Sequence, residues 1–141
     1  MSEPRTDENT AQENNTAREN RAVVERALAG LVTTGDVGAL APLLRDDFAH
    51  HRPEAPARTK DEWLAGVGAL PLATLRVEIT HVVAEGDLVV MHSRRWLDGG
   101  GPGILGVDIW RLEDGVIVEG WEVIEPVADA AAHWEWWRPA S

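Results

Sequence analysis

Two hydrophobic periods divide the chain. Before Pro71 the apolar residues group at helical spacing, and after it they alternate, which predicts helices first and strands afterwards. Val23, Val24, Ala27, Leu28 and Leu31 share one face of a first helix that opens at Asn20, with Glu25 and Arg26 toward water and Gly35 as its stop. Asp36 has the chemistry of an N-cap for a short second helix carrying Leu40, Leu43 and Leu44. Thr59, followed three residues later by Glu62, is a capping-box signature that opens a third helix through Trp63, Leu64 and Val67. Between them FAHHRPEAP, residues 48 to 56, reads as a proline-punctuated loop.

The alternating half contains two hairpins. LRVEITHVVAEGDLVVMHSRRW, residues 75 to 96, folds back around Glu85-Gly86-Asp87, and residues 104 to 125 fold back around Glu113-Asp114-Gly115. Helices followed by antiparallel hairpins give an α+β domain. DGGGPG at 98 to 103 connects the hairpins; no helix follows its glycines, so it lacks the build of a phosphate-cradling loop.

With 141 residues the chain is one domain, large enough for a core without staples. Without cysteine there is no disulfide framework, thiolate zinc site or cysteine nucleophile. Residues 1–19 form a polar, acidic leader with five acids against two arginines, expected to be disordered. It has no apolar signal region and no stretch reaches membrane-spanning length, so the protein is expected in the cytoplasm. A net charge of -11 makes nucleic acid and anionic membranes poor partners. Residues 20–127 hold the domain. The extension 128–141 contains HWEWWRP, whose Trp134, Trp136 and Trp137 are expected to bury against a pocket mouth or a dimer seam.

Two carboxylates interrupt the apolar run of the last hairpin, and a buried acid is costly unless it is paired, hydrogen-bonded or protonated. If Leu112 lies opposite Val116 across a three-residue turn, Asp108 faces Gly120 and Gly106 faces Glu122. The two acids are then diagonal neighbours on one face, each beside a glycine, as a cavity floor would require. A bulge at Gly115 would slip the register by one and send them to opposite faces.

The segments FAHHRP, VVAEGDLVVMHSRRW and GGPGILGVDIWRLEDGVIVEGWEVIEPV, in this order of helices and strands, resemble the SnoaL-like polyketide cyclase and aldol-condensation group of the nuclear transport factor 2-like superfamily. The resemblance spans about residues 20 to 127 and is most specific in the last segment. It implies a cone: N-terminal helices packed into a curved antiparallel β-sheet, a ligand pocket in its mouth, and a homodimer through the sheet's outer face. It also places the family's acid/base carboxylate on Glu122, where relatives usually carry aspartate, its partner on Asp108, and a histidine on His51. Gly120 departs from the pattern, as relatives often have histidine there.

Such chemistry removes a proton alpha to a carbonyl and protonates an oxygen, which needs a carboxylate base and a proton donor but no metal or cofactor. Glu122 is the base, and Asp108 or His51 the donor or orienter. Trp110, Trp63, Phe48, Trp96, Ile124 and Val118 are the expected walls for a hydrophobic small molecule. Three other readings stand beside this one. Asp108 and Glu122 can be structural carboxylates bonded to backbone or to Arg111, in a non-catalytic binding or assembly module. The chain can also be an epoxide hydrolase, a chemistry that resembles an Asp-Arg-Asp arrangement activating water, although Arg111 alternates to the other face. His51 can cap a helix end beside Pro53, and an adjacent pair such as His50 and His51 is poorly built for metal. His81 is expected on the apolar face with Val83, and His92 opposite Thr80.

Overall fold

The computed structural model describes residues 7–134. Its first element is a long helix, α1 (Asp7–Thr34), so the segment expected to be disordered is helical from Asp7 onward. Residues 1–6 lie outside the described residues. Helix-forming Ala11 and Ala17 favour this continuation. Ala17 and Asn20 extend the buried stripe of Val23, Val24, Ala27 and Leu31 by two turns. The Asn20 side-chain amide also donates to the carbonyl of Gly86 at 3.2 Å, which ties the helix to the first hairpin.

The expected second helix is two short 3-10 turns, Val37–Ala39 and Ala41–Leu43, although Asp36 caps the first by accepting from the Gly38 N–H. Next comes the largest departure from the sequence reading. The stretch expected as a loop is a strand, β1 (Leu44–Arg52), a turn at Pro53-Glu54, and a short edge strand, β2 (Ala55–Thr59). Pro53 and Pro56 are tolerated because one sits in the turn and the other on an edge strand, where an N–H is dispensable. Thr59 and Glu62 then form the expected capping box of α2 (Lys60–Gly68).

Both expected hairpins form, as β3 (Leu75–Glu85) with β4 (Leu88–Leu97) and β5 (Ile104–Glu113) with β6 (Val116–Pro126). The six strands make one sheet in the order β2-β1-β6-β5-β4-β3. It is mixed, not purely antiparallel, because β1 runs parallel to β6. Helix α1 lies over β3 and β4, and α2 over β1 and β2. The core between helices and sheet is built on Val24, Leu44, Phe48, Val89, Met91, Trp110, Leu112 and Ile117. A satellite of Ala27, Leu31, Leu40 and Val67 joins the two helices.

A last short helix, α3 (Ala130–His133), precedes Trp134, which is 66% exposed and so departs from the expected burial. Trp136 and Trp137 lie outside the described residues. Among the described residues no helix is long and apolar enough to cross a membrane.

Candidate active site

Asp108 and Glu122 meet through two irregularities that cancel. The turn between β5 and β6 has two residues, Asp114 and Gly115, both with positive φ (50° and 79°), as in a type I′ turn, and Glu113 lies opposite Val116. That displaces the expected register by one residue. A bulge at Val118 displaces it by one more, since Leu112 pairs with Ile117 but Arg111 with Glu119. Because side chains alternate with period two, a net displacement of two restores the face. Asp108 and Glu122 end directly opposite each other, closer than the expected diagonal.

Between them reaches Arg95 of β4. Its Nη2 donates to Asp108 Oδ2 at 2.5 Å, its Nη1 to Glu122 Oε2 at 2.8 Å, and its Nε to the buried Ser93 hydroxyl at 3.2 Å. The glycines expected to leave an open floor serve these neighbours. A Cβ on Gly106 would lie 2.7 Å from Arg95 Nη2, and one on Gly120 2.7 Å from Trp110 Cζ3. Arg95 could have been found in the sequence, since alternation places it with Val89 and Met91 on the apolar face of VVMHSRRW, as conspicuous there as the acids on theirs.

The environment splits the two acids. Burial, reinforced by the charge of Glu122 and a hydrogen bond with it, pushes Asp108 up to about 7 against the pull of Arg95. Burial also works to raise Glu122, but the hydrogen bond and charge of Arg95, with His50 and Arg52 farther off, outweigh it and hold Glu122 below the ordinary glutamate value. Arg52 Nε lies 3.7 Å from Glu122 Oε1. Of the two acids, Asp108 is therefore the one that keeps a proton as pH rises toward neutrality, while Glu122 is ionised.

The histidine on the cavity side is His50, not the expected His51. Since 48 to 52 is strand, neighbouring side chains point to opposite faces. His50 turns inward and is 2% exposed, its ring 5.3 Å from that of Trp63 and 6.1 Å from that of Trp110. His51 turns outward, stacks on Trp121 and bonds Glu119 through Nε2 at 2.7 Å, which removes it from the carboxylate site. Desolvation lowers His50 to about 4, so its imidazole is neutral at the pH where the acids are split. Its Nδ1 and the Trp110 Nε1 are buried without a hydrogen-bond partner among the described residues.

Above the acids opens a cavity of about 700 Å³. Of the expected walls, Trp110, Trp63, Trp96 and Ile124 line it, with Trp96 one-third exposed at its rim and its ring 5.9 Å from the Arg94 guanidinium. Phe48 and Val118 do not line it. Phe48 lies behind His50 and Trp63 in the core, and Val118 is buried at the bulge. Leu28, Val67, Leu72, Val77 and Met91 complete the apolar wall.

The opposite face of the sheet holds Arg111, paired with Glu119 and Glu113, and a bulge at Thr80 turns His81 and Val83 to this side. His81 is consequently paired with His92, not packed on the apolar face, and Thr80 Oγ1 lies 2.7 Å from His92 Nδ1.

The sequence from residue 24 to 120 matches the family described as the SnoaL-like domain. The chain belongs to that family. No curated protein sequence matches this SnoaL-like chain. Among solved structures it is similar to a provisionally assigned ketosteroid isomerase from Kribbella flavida, with 17% identity over 79% of this chain and 81% of that one and a TM-score of 0.67. It is similar to a provisionally assigned hydroxylase from Streptomyces galilaeus at 19% identity, covering 83% and 98% with a TM-score of 0.68. It is also similar to an LEH-like epoxide hydrolase of M. tuberculosis at 13% identity, covering 83% and 98% with a TM-score of 0.63. At these identities the likeness establishes the SnoaL-like, nuclear transport factor 2-like cone fold.

Proposed function

We propose that this SnoaL-like protein is an enzyme that moves a proton on an apolar carbonyl compound, as an isomerase or cyclase. Arg95 carries the reading: one guanidinium holds two facing carboxyls on a cavity floor and keeps Glu122 ionised, while burial and the charge of Glu122 raise Asp108. Glu122 takes the proton alpha to the carbonyl and Asp108 supplies one to the carbonyl oxygen as the enolate forms, so neither a metal nor a cofactor enters. Neutral His50, beside Trp110, is a hydrogen-bonding group for substrate, not the base. His51 has no part. The test is exchange of alpha protons of 2-tetralone in deuterium oxide, followed by NMR. Enzyme-dependent exchange is expected, with a rate that falls below the ordinary glutamate range as Glu122 protonates and falls again above about pH 7 as Asp108 ionises. A rate that rises through pH 7 to 9 would exclude Asp108 as the donor.

One observation favours a second reading. The order Asp108-Arg95-Glu122 supplies the carboxylate-guanidinium-carboxylate arrangement that Arg111 does not. On an epoxide, Glu122 would draw a proton from water as the water oxygen bonds to one ring carbon, while Asp108 gives its proton to the departing ring oxygen. Formation of the diol from 1-methylcyclohexene oxide, without exchange on 2-tetralone, would select this chemistry.

The sheet's outer face supports a homodimer. Val123 and Val83 are 54% and 61% exposed there, and Val123 stands opposite Val107 beside Ile109 and Trp121. Val123→Lys is expected to convert a dimer to a monomer in light scattering after size exclusion, since a central lysine on each copy opposes closure. A wild-type protein that is already monomeric would remove the partner.

A further inference from the structure

The cavity carries one cation more than its acids use. Arg95 is engaged by Asp108 and Glu122, and Arg52 pairs with Glu54 at 2.9 Å beside Glu122. Arg58 lines the same cavity, half-buried, and among the described residues it forms no ion pair or hydrogen bond. The β1–β2 register sets it opposite His50, so it shares the cavity face. On its other side the guanidinium lies against α2 at Gly66, where an added Cβ would come within 2.9 Å of Nη1. Glu62 of α2 accepts from the N–H of Thr59 in the capping box, and its charge reaches Arg58 without forming a direct ion pair.

A guanidinium drawn partly out of water against an apolar wall, with the charge of Glu62 acting on it only from beyond ion-pair distance, is incompletely compensated in the empty protein and favourably placed for an arriving anion. It is the more distinctive in a chain whose net charge is -11. We propose that Arg58 receives a carboxylate on the substrate, so that this SnoaL-like protein acts on an apolar acid and not on a neutral molecule. The planar fork of arginine matches a carboxylate through two parallel hydrogen bonds. Bound there, the acid lies against β2 and α2 in the cavity that Trp63, Leu72 and Glu122 also line. The inference rests on the cavity being the substrate site, and it deepens the proton-transfer reading by naming the substrate class.

Binding tests it without turnover. 2-Naphthoate and the neutral, nearly isosteric 2-naphthamide are titrated calorimetrically into the full chain at neutral pH. Naphthoate is expected to bind about tenfold tighter or more, the effect of one charge-assisted hydrogen-bonded pair. Arg58→Gln should reduce the preference to within about twofold, with naphthamide affinity retained. Gly66→Ala keeps every arginine and improves helix propensity, yet displaces Nη1, and it should lower naphthoate affinity selectively; it decides the matter if Arg58→Gln does not fold. Equal binding of the two ligands by the wild type, failure of both to bind included, overturns the proposal. So does a preference that survives both substitutions, which would belong to Arg95 or Arg52. Because no reaction is followed, a protein that prefers naphthoate but exchanges no protons refutes only the catalytic reading.

Discussion

Glu122→Gln is expected to lower turnover by roughly 10²–10⁴-fold while leaving the melting temperature close to wild type. Glutamine keeps the shape of the side chain and can still accept from Arg95 Nη1, but it cannot take a proton from carbon. The fold survives because of what happens next door. Asp108 is held protonated by burial first, and by Glu122 second. With the charge of Glu122 gone, the carboxyl of Asp108 falls under the pull of Arg95 and ionises, so the guanidinium keeps a counter-ion. The variant thus loses the base and the proton donor together. Turnover on 2-tetralone and the carbon-13 shift of the Asp108 carboxyl check both halves. An Asp108 that still titrates near 7 would show that the two acids do not communicate, and full activity would remove Glu122 from the mechanism.

Arg95→Met carries the largest effect expected on stability. It leaves two acids facing each other at buried positions without compensation, a change that costs about 3–5 kcal/mol and on the order of 10 °C in melting temperature for a domain of this size. The loss has a defined sign in pH. Without the cation both folded-state carboxyl values rise above those of the unfolded chain, so stability is retained in acid and lost as pH climbs through them. Thermal unfolding at about pH 5 and pH 8 should therefore show a larger deficit at the higher pH. Replacing Asp108 and Glu122 with leucine in the same variant should recover much of the loss, because an apolar floor needs no counter-ion. A deficit equal at both pH values would mean that Arg95 stabilises by packing its stem alone.

How much of this was legible depended on the range of the signal. The capping box at Thr59 is decided by residues three apart and forms as read. Alternation also predicts that Asp108 and Glu122 share a face, although the register differs by two residues from the expected one. Side-chain alternation tells which residues share a face only until a bulge intervenes, and the bulges at Thr80 and Val118 carry no local mark comparable to a turn glycine. Bulge placement is set by packing across the sheet, which is why His81 and Val83 sit outward against their pattern. Prolines at 53 and 56 masked β1, because proline excludes central strands while remaining compatible with the turn and edge strand found here. The alternation that separates His50 from His51 follows only from β1 being a strand. Arg95 belongs to a different kind of omission: its position on an apolar face was visible, but its partners lie 13 and 27 residues away.

The bulge at Val118 also determines which changes of length the gene can accept. Ile117 and Val118 are both buried, and β6 carries one residue more there than β5 requires. Loss of that codon would straighten the ladder and leave Glu122 opposite Asp108. A codon gained or lost between Glu119 and Glu122 has no such slack to absorb it, and would turn the carboxylate out to the opposite face while a neighbouring side chain took its place above Arg95.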